Sequence, residues 1–149
     1  MKITNFIVCD DIRHEEGNKI SLMGVYDEVI TFPVSPDKVD VWPKTLSFAV
    51  YIRAAIDRED VDQNIRKIVF SAGQQNNLQR FPTTDFSPEK GAIGQKVSCV
   101  VKMNNFQLTS NSPITCEIIL YNDKEEEVTR VTPGYSVQIA ENIIEGARI

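Results

Sequence analysis

One histidine, one tryptophan and three cysteines in 149 residues leave little material for several kinds of chemistry. The histidine, His14, lies among Arg13, Glu15 and Glu16. A triad would need it set between a nucleophile and a carboxylate, and no spacing suggests that, so it reads as a surface residue of a hairpin turn. No C-x-x-C or H-x-x-x-H pair supplies a zinc site. Three cysteines do not make a disulfide framework. Cys99 alternates with Val97, Val101 and Met103, and Cys116 with Ile114, Ile118 and Leu120. Both therefore read as small core residues, with a Cys99–Cys116 bridge as the alternative. Cys9 precedes Asp10 and Asp11, whose charge should raise its thiol pKa and blunt its reactivity.

Basic charge is short as well. Lys and Arg total 16 against 21 Asp and Glu, for a net charge of −5. The excess is spread evenly, −3 in residues 1–75 and −2 in residues 76–149. No basic stripe exists to neutralise phosphates, which disfavours nucleic acid as a partner. Long apolar runs are missing too. Nothing approaches the ~18 residues a spanning helix needs, so no membrane is expected. The first apolar stretch stops at Asp10-Asp11 without a small-residue cleavage site, so it does not read as a signal peptide. The expected address is the cytoplasm. Gly91-Ala92-Ile93-Gly94-Gln95-Lys96 lacks the Walker spacing and reads as a turn. No cofactor is expected.

What the chain does have is a period of two. Leu46, Phe48, Val50, Ile52, Ala54 and Ile56 fall on one face of a strand. Ser47, Ala49, Tyr51, Arg53 and Ala55 fall on the other, which should be wet. Further strands are predicted over residues 3–9, 19–32, 65–72, 96–109, 114–122 and 134–140. Gly24 interrupts one alternation, the usual mark of a β-bulge. Helical periodicity is nearly absent; the best candidate is a short C-terminal helix over Glu141–Ile149. With 42% apolar residues, the chain is predicted to be one all-β domain over residues 1–149. Strands this short, with turns between them, make a sandwich or a barrel. General alternation with one polar face favours an antiparallel β-sandwich of seven or eight strands.

Two stretches break the pattern. Residues 33–44 hold Pro33, Pro36, Pro43 and Trp42; residues 73–95 hold Phe81, Phe86 and a Gln/Asn-rich run, Gln74, Gln75, Asn76, Asn77 and Gln79. Long irregular connections are often functional. Trp42, Phe81 and Phe86, with Arg80, are thus candidate anchors for another protein, or else a satellite cluster tucked under their own loops. The acidic run Asp57-Arg58-Glu59-Asp60-Val61-Asp62 reads first as a solvated hairpin turn. Asp57, Glu59, Asp60 and Asp62 are also a candidate calcium cluster, should Asp10-Asp11 converge on them. Glu125-Glu126-Glu127 reads as a charged hairpin edge that discourages sheet-to-sheet pairing.

Cys9-Asp10-Asp11-Ile12-Arg13, then Lys19-Ile20-Ser21-Leu22-Met23-Gly24-Val25-Tyr26, resemble the opening of a family of small bacterial and phage all-β proteins of unknown function. Ser112-Pro113 through Leu120-Tyr121-Asn122-Asp123 resemble its closing strand and hairpin. The resemblance implies a bacterial or phage origin and brings no catalytic residues with it. The leading expectation is a non-enzymatic module that binds another protein. A calcium- or sugar-binding sandwich, a self-assembling phage component, and a homo-oligomer are the alternatives.

Overall fold

The computed structural model describes residues 1–82 and 86–146. Alternation becomes ten strands among the described residues: β1 (Lys2–Glu15), β2 (Lys19–Tyr26), β3 (Val29–Val34), β4 (Lys44–Ala55), β5 (Ile65–Gln74), β6 (Asn77–Pro82), β7 (Lys96–Leu108), β8 (Ile114–Asn122), β9 (Glu127–Val131) and β10 (Gln138–Ile143). Strands β2-β1-β4-β7 form one four-stranded antiparallel sheet and β6-β5-β8-β9 another. Their inner faces meet in one core. Phe6, Val8, Val50, Ile52, Phe48 and Phe106 enter it from the first sheet, and Ile68, Phe70, Ile118 and Leu120 from the second. Phe48 and Phe106 meet edge-on with centroids 5.5 Å apart. The all-β sandwich is as the alternation implies.

A third, two-stranded layer was not expected. β3 and β10 pair in parallel, from Val29↔Gln138 to Val34↔Ile143, and bring Ile30 and Ile139 to the core. Its existence splits the predicted strand 19–32 at Asp27-Glu28, where two exposed carboxylates let the chain leave the first sheet. It also corrects the C-terminal helix: Glu141, Asn142 and Ile143 are strand, Gly146 lies in a turn, and residues 147–149 are outside the described part. Backbone pairing with β3 outweighs a helical pattern too short to stand alone.

Four other expectations change. Gly24 makes no bulge, since the β1–β2 register runs past it without a shift. It has φ +64, and a Cβ there would lie 2.2 Å from the Asp10 carboxylate, so close approach is the reason for glycine. The outer face of β4 is not uniformly wet. Cys9, Ile12 and Ala49 form a second buried cluster, with Ile20, Leu22, Tyr51 and Val100 packed on it. Residues 73–95 are not one long loop: Gln74 ends β5, and Asn77–Pro82 returns as β6 along it. Finally, the acidic run is not a hairpin turn. Arg58–Asp62 is a short helix, α1, capped by Asp57, whose side chain accepts from the Asp60 N–H at 3.1 Å while the Asp60 carboxylate accepts from the Asp57 N–H at 2.9 Å.

A candidate binding cleft beside the first strand

The residues singled out in the sequence are used mostly within the fold. Trp42, Phe81 and Phe86 are half-buried and all pack against the main core. Trp42 lies under Lys44, whose ammonium is 4.2 Å from the ring centroid. Lys44 also pairs with Glu141 of β10, and the Asp40 N–H donates to the other Glu141 oxygen at 2.9 Å. The Lys44 contact, then the Asp40 amide, hold the Glu141 carboxyl below its usual range. Phe81 faces Phe70 across β5–β6, and the Phe86 N–H donates to the Arg66 carbonyl at 2.8 Å. Arg80 is exposed on β6; together with the stronger Arg130 contact it lowers the Glu127 pKa.

The acidic cluster closes on the chain's own amine. The Met1 α-ammonium donates to Asp57, and to Asp60 at 2.9 Å. Burial pulls the amine's pKa down, but the two hydrogen bonds and the two negative charges outweigh it and the net shift is upward. Burial pushes Asp57 up, but the amine's hydrogen bond leaves it lowered; at Asp60 burial wins and its pKa is raised. Glu59 and Asp62 point to solvent. Asp10 accepts from the Tyr26 hydroxyl at 2.7 Å, and Asp11 pairs with Lys102 at 2.9 Å. Burial and the Asp10 partner raise Tyr26 to about 12. Among the described residues no three His, Cys, Asp or Glu side chains gather where a metal could sit. All three cysteines are free thiols. Burial, more than the neighbouring carboxylates, raises Cys9; burial also takes Cys99 to about 11 and Cys116 to about 12.

The Gln/Asn-rich run, which could have been a polar contact surface, is tied to the β7–β8 connection. Gln74 is fully buried. Its amide donates to the Ser110 carbonyl at 2.8 Å and the Ser112 carbonyl at 2.7 Å, and its oxygen accepts from the Thr109 N–H at 2.8 Å. Asn76 donates to the Thr109 hydroxyl and Asn77 to the Gln107 carbonyl, each at 3.1 Å.

Unsatisfied surface lies elsewhere. A cleft of about 390 Å³ opens between the start of β1, the end of β2 and the segment before β10, lined by Phe6, Ile7, Val25, Tyr26, Asp27, Glu28, Tyr135 and Ser136. Val25 is 54% exposed and Tyr135 53% exposed, large for apolar and aromatic side chains, and exposed Val29 follows Glu28. Tyr135 and Ser136 also border a second cleft of about 430 Å³ toward Leu78, Cys116 and Pro133, so both clefts share these two residues. The sequence shows Tyr135 only as part of an alternating strand, Tyr135, Val137 and Ile139. Its position is set by Thr132-Pro133-Gly134, an irregular run between β9 and β10. The Pro-Gly pair was the available signal that this residue leaves the ladder.

Compared as a whole, the chain matches no family model and no curated protein.

Proposed function

We propose that this chain is a β-sandwich module that works by binding another protein, with the contact centred on the cleft between β1, β2 and Tyr135. The observation that carries the reading is the gathering of exposed Val25 and Tyr135 at a concavity also lined by Phe6 and Ile7. Core packing of Trp42, Phe81 and Phe86 moves the expected anchors from those loops to this cleft. The motif resemblance at Cys9–Arg13 and Ser112–Asp123 supports a bacterial or phage origin, with the module acting in the cytoplasm. No helix among the described residues is long and apolar enough to cross a membrane.

The test is a matched pair of baits, wild type and Val25→Lys, the latter first shown to melt at an unchanged temperature. A protein retained by wild type and lost from Val25→Lys would put the contact at the cleft. Retention by both baits moves the contact elsewhere. Native mass spectrometry of the wild type that finds a metal or small-molecule adduct, and no protein, would replace this reading with the ligand-binding one.

A further inference from the structure

The backbone at the cleft has the form of an interrupted sheet. β4 runs beside β1 from Lys2↔Ala55 to Cys9↔Ala49, but β2 begins its pairing only at Val8↔Tyr26. On the β2 side, residues 2–7 therefore have no neighbouring strand among the described residues. The vacancy is filled at one point by a side chain. The Phe6 N–H donates to the Tyr135 hydroxyl at 2.8 Å, and the same hydroxyl donates back to the Phe6 carbonyl. One hydroxyl thus makes the two hydrogen bonds that a facing residue makes in an antiparallel ladder. The ring that carries it is half exposed, tilted 35° against Phe6 at 5.8 Å.

We propose that a basic, extended segment of the partner protein adds to β1 as a strand at Phe6, displacing the Tyr135 hydroxyl. The inference rests on the protein-binding reading and names the partner's chemistry. Main-chain hydrogen bonds give such strand addition its affinity, and alternate side chains give its specificity. Two features of the cleft select the segment. Asp27 and Glu28 line it and, among the described residues, no Lys, Arg or His does, so it favours Lys or Arg. Ile7 and exposed Val25 offer an apolar wall to the alternate residues. The same acidic lining disfavours a second copy of this chain, which would bring its own Asp27 and Glu28 to the contact.

The probes are two fluorescein-labelled hexapeptides, Val-Lys-Val-Lys-Val-Lys and Val-Glu-Val-Glu-Val-Glu, titrated by anisotropy. The Phe6 amide is followed by heteronuclear NMR. The basic peptide is expected to saturate, to bind about tenfold tighter than the acidic one, and to move the Phe6 cross-peak. Tyr135→Phe removes the competing hydroxyl and should tighten binding several-fold; Asp27→Asn with Glu28→Gln should weaken it. Equal binding of both peptides, saturation without a Phe6 shift, or no saturation with either wild type or Tyr135→Phe overturns the inference. So does a concentration-dependent dimer that protects the Phe6 amide, which would give the edge to a second copy. If the peptides fail while Val25→Lys still abolishes capture of a protein, the protein-binding reading stands and only strand addition falls. If both fail, both fall.

Discussion

Gln74 and Tyr135 do the same job at two places: each satisfies backbone groups where no strand is available. At the β5–β6 tip, Gln74 is fully buried and fastens three residues of a connection, Thr109, Ser110 and Ser112. At the start of β1, Tyr135 fastens one residue, Phe6, from an exposed ring beside an open cleft. The difference lies in what replaces the bond once it breaks. The Gln74 side chain is fully buried, so its loss removes one partner shared by three backbone groups and puts an apolar group in its place. Water or a peptide can reach Phe6. The first junction holds the sandwich together, and the second is suited to exchange.

Gln74→Leu tests the buried junction and should have the largest effect. Leucine keeps the volume but leaves the Thr109 N–H and the carbonyls of Ser110 and Ser112 without the side chain that satisfies all three. A loss of about 3 kcal/mol follows, seen as a fall in Tm of roughly 6–12 °C. A change under about 1 kcal/mol in urea unfolding would show that water reaches the site and that the contrast with Tyr135 is false. Gly73→Ala, next to it, should come second. Gly73 has φ +136, and an added Cβ would lie 2.5 Å from the Asn77 carbonyl and 2.9 Å from the Phe106 ring. Strain of this kind costs about 2 kcal/mol, and melting of the variant measures it.

The first residues of β1 have a second fastening, the Met1 amine between Asp57 and Asp60, and it titrates. The amine's pKa is raised in the folded state, so its contribution is complete below its unfolded value of 8.0 and is lost as pH rises through the folded value. Asp57 is lowered, so its contribution is present above its unfolded value of 3.8 and is lost as pH falls through the folded one. Asp60 is raised by burial and works the other way, favouring the folded state most below its unfolded value of 3.8. The raised buried thiols add a separate alkaline loss that begins near their unfolded value of 9.0. Tm should therefore start to fall just above pH 8. Asp60→Asn should flatten that first part of the slope and leave the part beginning near pH 9. Parallel slopes for the two proteins would show that the amine is not held.

The fold was legible wherever burial imposes a period of two. The β4 face from Phe48 to Ala54 is buried as its alternation implies, because one inner face meets one core. Legibility failed where polar residues serve the backbone. β6 and its turn look like a loop because Gln74, Asn76 and Asn77 are hydrogen-bonding groups whose partners, Gln107 to Ser112, lie some thirty residues on. The α1 run looks like a solvated turn because its capping pair is Asp57 with Asp60 rather than the usual Ser or Thr with Glu. The cleft was the least legible of all. Phe6 and Tyr135 are 129 residues apart, and neither breaks its local alternation. The Pro133-Gly134 pair marks where the ladder is left, but nothing local says that the Tyr135 hydroxyl meets a strand so far away in sequence.

Tyr135→Phe and Gly134→Ala probe the exchangeable junction, and their effects on stability should be the smallest. Removing the hydroxyl leaves the ring against Phe6 and frees two backbone groups next to an open cleft that water can enter. The cost should be about 1 kcal/mol or less, well below that of Gln74→Leu, although both variants remove a side chain's backbone hydrogen bonds. Gly134 sets the matching contrast with Gly73. No atom lies within 4 Å of a Cβ built on Gly134, and its φ is not positive, so alanine fits without strain. Its effect should be within about 0.5 kcal/mol of zero or slightly stabilising, since alanine narrows the unfolded ensemble. Hydrogen exchange at the Phe6 amide separates the two junctions directly. Tyr135→Phe should speed exchange at Phe6 while leaving Thr109 protected, and Gln74→Leu should expose Thr109. If Tyr135→Phe instead destabilises as much as Gln74→Leu, the hydroxyl is a structural fastening, and an incoming strand would have to unfold part of β1 to reach Phe6.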